Sequence, residues 1–155
     1  MLGGTLKWPT RPEESVTYGS LRLCGAGAGE RCFPFEFDTL FRLPLTVLGV
    51  RPGTAAVLIG ADTFTIRFGP WRLATARENV TGASVIRPLR WWRAIGPRLS
   101  LADRGVTFGT TTRAGVCVRF STPVAALIPG GWLTHPAATV TVADPDLLVA
   151  CLTAA

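Results

Sequence analysis

The sequence predicts a mainly β domain of about seven short antiparallel strands, closed by one C-terminal helix. Three observations carry that expectation. Twelve Pro and 17 Gly are spread along 155 residues, a density that breaks long helices and favours short strands joined by turns. Apolar and polar residues alternate over several short windows, the period of a strand with one buried face. The period changes only at the end, where "DPDLLVACLTAA" spaces its apolar residues as a helix does.

In chain order, residues 1–32 read as a weakly ordered N-terminal extension. They hold Pro9, Pro12, one candidate strand "SVTYGSLRLC" and the run "GAGAGE". That run does not make a dinucleotide site. A pyrophosphate loop passes from a strand straight into a helix with G-x-G-x-x-G spacing, whereas here "RCFPFEF" follows, with Pro34 among aromatics. The domain is expected to span residues 33–155, a length that supports one hydrophobic core.

Within it, "PFEFDTLFRLPLTVLGV" alternates in places, is interrupted by Pro44 and reads as β. "TAAVLIG-AD-TFTIRFG" reads as a hairpin with Phe64, Ile66 and Phe68 on one face and Thr63, Thr65 and Arg67 on the other. "WRLATA" and "NVTGASVIR" supply two more strands. "RLSLA-DRG-VTFGTT" is a second hairpin, with Gly105 expected in the left-handed position of its turn. "GVCVRF" directs Val116, Val118 and Phe120 one way and Cys117 and Arg119 the other, and "ATVTVA" is the last strand. The helix then starts from Asp144 as N-cap and Pro145 at its first position, with Asp146 in the first turn. Leu147, Leu148, Cys151 and Leu152 form its apolar stripe.

The meander followed by a single capping helix resembles the pleckstrin-homology-like barrel. "TFTIRFGPWRLATARENVTGASV" is similar to the bacterial version of such domains. The stretch from "FPFEF" through "RWWRAIGPRLSLADRGVTFGTT" to "LTHPAATVTVADPDLLVACL" resembles a set of short uncharacterised actinobacterial proteins. The likeness covers residues 33–153 and implies a small antiparallel barrel. That fold hosts lipid, peptide and protein binding, so it does not fix a function.

Charge narrows the choice. The net charge of +6 comes from 15 Arg and one Lys against ten carboxylates. Between Thr63 and Leu99 lie Arg67, Arg72, Arg77, Arg87, Arg90, Arg93 and Arg98 against Glu78 alone, which accounts for the whole excess. The densest part, "RPLRWWRAIGPR", brackets Trp91 and Trp92 with arginines. Arg87, Arg90, Trp91, Arg93 and Arg98 are therefore the candidate anion- or partner-binding residues. If the stretch is extended, the two tryptophans point to opposite faces and one of them fills the core. Specific nucleic-acid binding is not expected, because no reader motif is present.

The remaining chemistry is sparse. Cys24, Cys32, Cys117 and Cys151 contain no CxxC pair or zinc spacing, and are expected as reduced, buried thiols. No metal or cofactor is expected. No run of about 20 apolar residues occurs, and the first residues hold no apolar signal core. The expected location is therefore the cytoplasm, with peripheral membrane attachment left open. His135, the sole histidine, falls in "WLTHPAAT" and reads as a solvated loop residue. The sequence thus points to a non-enzymatic module binding a protein partner or an anionic surface. The alternatives are a barrel holding a small apolar ligand, and third, an enzyme using Cys117 or His135.

Overall fold

The computed structural model of the chain describes residues 29–87, 95–99, 104–128 and 130–154. Nine strands and two α-helices lie within them: β1 (Arg31–Pro34), α1 (Thr39–Val47), β2 (Ala55–Ile59), β3 (Thr63–Phe68), β4 (Trp71–Ala76), β5 (Val80–Ile86), β6 (Gly96–Leu99), β7 (Val106–Gly109), β8 (Gly115–Ala125), β9 (Thr134–Val140) and α2 (Pro145–Thr153). The fold is mainly β, as the alternation predicts. Its strands form two sheets rather than a closed barrel, one ordered β1-β2-β3-β4 and the other β5-β8-β9-β7-β6.

Both expected hairpins form. Val57 faces Ile66 and Ile59 faces Phe64 across β2 and β3, while Gly96 faces Gly109 and Leu99 faces Val106 across β6 and β7. In the second hairpin the positive φ of 56° belongs to Arg104, not to Gly105. One pairing departs from the antiparallel expectation: β7 and β9 run parallel, with Val106 opposite Ala138 and Phe108 opposite Val140. The two sheets meet where the chain leaves β1. Phe35 bridges Val142, Glu36 N donates to Thr141 O at 3.0 Å, and Ala143 N donates to Pro34 O at 3.0 Å.

The core fills the space between the sheets. Phe64, Ile66, Phe68 and Leu73 come from the first sheet, and Phe108, Val116, Val118 and Val140 from the second; all are fully buried. Rings interlock across it, Phe68 lying 5.3 Å from both Phe35 and Phe108, and Phe64 lying 6.1 Å from Phe120. Helix α2 closes this core as the sequence predicts. Asp144 accepts from Leu147 N at 3.1 Å, Pro145 opens the helix, and Leu148 and Cys151 are buried. Leu147, expected in the stripe, is half exposed instead, so the buried face is narrower than the apolar pattern.

The segment expected as β after Glu36 contains α1. Its signals are helical on inspection: Asp38 takes the N-cap position, and Gly49, at φ 83°, ends the helix. Gly49 N donates to Thr46 O at 3.0 Å and Val50 N to Leu45 O at 2.9 Å, the two bonds of a Schellman stop, with Leu45 and Val50 both buried. Pro44, past the first turn, removes one helical N–H, and this is what disguises the segment as a broken strand.

Two further expectations are corrected. His135 is in β9 and 0% exposed, because the strand begins four residues before "ATVTVA". Cys32 is disulfide-bonded, so free thiols are found only at Cys117 and Cys151 among the described cysteines.

Candidate interaction surface

Helix α1 sits at one end of the first sheet because the β3–β4 turn holds the loop that follows it. Gly69 N donates to Thr54 O at 3.0 Å. Gly69 has φ 58°, and a Cβ there would come within 2.9 Å of Gly49 O and of a Val50 methyl carbon. Only glycine allows that approach. On the other side Asp38 N donates to Thr110 O at 3.1 Å, which ties the start of α1 to the end of β7.

The inner side of α1 packs through Leu45, which is buried, and Phe41, which touches the core. Its outer side is apolar as well. Leu40, Leu43 and Val47 are 78%, 76% and 83% exposed. At 100° per residue these three and the exposed Pro44 share an arc of about 100°. A surface helix ordinarily turns charged residues to water on that side.

Four arginines lie at the same end of the first sheet as α1. Arg42 lies on α1 itself, and Arg51 follows it in the loop to β2; both are exposed. Arg67 and Arg72 are direct cross-strand partners on β3 and β4, one step from the Gly69–Pro70 turn, and both are exposed. None of the four enters an ion pair among the described residues; the two pairs formed there are Arg113–Glu36 at 3.1 Å and Arg87–Asp146 at 2.9 Å. From Thr39 to Arg77 the sole acid is Asp62. It falls in the β2–β3 turn, at the opposite end of those strands from α1. Asp38, at the N-cap, enters no ion pair among the described residues.

The residues expected to form the site are placed differently. Arg87 follows β5 and pairs with Asp146. Arg98 is exposed on β6, opposite Thr107. β5 and β6 are the two edges of the five-stranded sheet, so four strand spacings, roughly 19 Å, separate them. Arg87 and Arg98 are therefore not brought together. Arg90, Trp91, Arg93 and the neighbouring Trp92 lie outside the described residues.

Cys117 and His135 also stay apart. Cys117 faces Thr139 across β8 and β9, and His135 is four residues from Thr139, on the order of 13 Å along the strand. They do not form a nucleophile–base pair. His135 Nδ1 lies 2.8 Å from Arg104 O, and its buried Nε2 has no hydrogen-bond partner among the described residues. Among the described residues no group of three or more His, Cys, Asp or Glu could hold a metal ion, and no helix is long and apolar enough to cross a membrane.

A cavity of about 400 Å³ lies beside the last turns of α2, lined by Arg31, Arg77 and Cys151 among others. Its polar groups already have partners within the fold. Arg77 donates to Cys151 O at 3.0 Å, capping the negative end of the helix, and Arg31 donates to Cys151 Sγ at 3.0 Å.

No family model, curated protein or solved structure matches this chain.

Proposed function

We propose that this chain is a non-enzymatic binding module that docks on an anionic surface through the α1 end of its first sheet. The observation that carries the reading is the facing pair Arg67 and Arg72, exposed and in no ion pair among the described residues. Like charges directly opposite on neighbouring strands destabilise a sheet, so the pair is better explained by a partner of opposite charge than by folding. Arg42 and Arg51 extend the same cationic field around α1. The pleckstrin-like resemblance belongs to this proposal: two packed sheets and a closing C-terminal helix are read as an open form of that arrangement. The aromatic filling between the sheets speaks against an enclosed apolar ligand.

Near an anionic membrane each basic residue adds attraction, and four together raise partitioning by roughly two to three powers of ten at low salt. The double variant Arg67→Gln/Arg72→Gln tests the assignment, because it should weaken binding to anionic vesicles and leave the melting temperature equal or higher. A variant that melts lower and binds as tightly as the wild type assigns the pair to stability instead.

A further inference from the structure

Resting on that reading, we propose that the anionic surface is a lipid bilayer and that α1 enters it edge-on, burying Leu40, Leu43 and Val47 among the acyl chains while Arg42, Arg51, Arg67 and Arg72 meet the headgroups.

The two halves of the surface have different solvents in view. Three large aliphatic side chains more than three-quarters exposed on one arc of a helix lose hydration only against another apolar phase. The cations at the same end of the fold lose most by entering such a phase and gain most beside negative charge. A bilayer interface offers both within a few ångströms: acyl chains at depth, phosphates above. An exposed apolar helix face, with arginines at the same end of the fold, suits a helix lying in that boundary, buried about 5–10 Å. A protein partner would also have to combine an apolar groove with an acidic rim, whereas an anionic leaflet supplies that combination everywhere.

Helix α1 is built to present this ridge without unfolding. Its inner face is anchored by Leu45 and by the Leu45–Val50 stop. The following loop is clamped by Gly69, so the outer side chains project from a fixed base. Pro44 adds apolar surface to the ridge and has no N–H to desolvate. At nine residues, α1 can only lie at the interface; it is far too short to span.

The full chain and its triple variant Leu40→Ser/Leu43→Ser/Val47→Ser are compared for binding to phosphatidylcholine vesicles with and without phosphatidylglycerol, and to the soluble polyanion heparin, at low salt. The expected result is wild-type binding to the phosphatidylglycerol vesicles, weakened at least about tenfold by the serines, with heparin binding and melting temperature unchanged. Equal vesicle binding by both proteins would overturn insertion by α1 and leave the anionic-surface reading standing. So would wild-type binding to heparin but not to vesicles. Binding to neither probe would overturn both. A serine variant that melts several degrees lower, or that loses a dimer formed by the wild type in sedimentation, would also overturn the inference, since the ridge would then be covered by protein.

Discussion

Arg67 and Arg72 occupy the same rung of the β3–β4 ladder, where a pair of opposite charges would have stabilised the sheet. Their alternation with Ile66 and Leu73, both fully buried, fixes their side chains on the outer face, and that much is readable in "TFTIRFGPWRLATA". That they face each other is not, because it depends on where the turn falls. His135 carries the opposite lesson. A histidine before proline in a Gly-rich stretch reads as wet, yet pairing of β9 with β8 buries it. Two effects then oppose each other on its replacement. His135→Leu removes the group that meets Arg104 O, leaving a carbonyl to find another partner, and it also removes an unsatisfied buried nitrogen. Each effect is worth about 1–3 kcal/mol, so the net change in unfolding free energy should stay within about 1 kcal/mol by urea denaturation. A loss several times larger would mean that Nε2 has a partner in solution.

At the scale of elements, strands were legible where one face meets the core and the other meets water. β8 satisfies that condition, with Val116, Val118 and Phe120 buried and Arg119 exposed between them, whereas β2 is buried on both faces and reads as a continuous apolar run. Helix α2 was legible through its cap, since Asp144 and Pro145 are local signals that act through the first turn alone. Leu148 anchors it at 0% exposed. Leu148→Ala should therefore cost about 2–5 kcal/mol, whereas the same change at half-exposed Leu147 should cost much less; equal denaturation midpoints for the two would place α2 off the core. Helix α1 was not legible, because Pro44 masks its period and because apolar residues lie on both of its sides. An apolar outer face looks like core until the structure shows which side Leu45 occupies. The parallel β7–β9 pairing was hidden for another reason: it joins strands separated by the whole of β8, and no local pattern encodes that register.

For the whole molecule, the excess of arginine was visible in the composition, but its distribution depends on the fold. Arg87 is drawn into a pair with the start of α2, and Arg98 sits on the far edge of its sheet, so the densest basic stretch of the sequence is not gathered into one patch by its described residues. Arg42, Arg51, Arg67 and Arg72 are scattered over thirty-one positions of the chain and are collected at one end by α1 and the β3–β4 turn. If that end is the docking surface, attraction should be long-ranged at low salt and confined to within about 8 Å near physiological ionic strength. Burial of the α1 ridge should persist under both conditions. The most direct test is a salt series of binding to vesicles containing phosphatidylglycerol, run on the wild type and on Arg67→Gln/Arg72→Gln. Binding that falls steeply with salt for the wild type, and more shallowly for a variant already weaker at low salt, is the predicted result. Binding identical in strength and salt dependence for the two proteins would contradict the assignment of this surface.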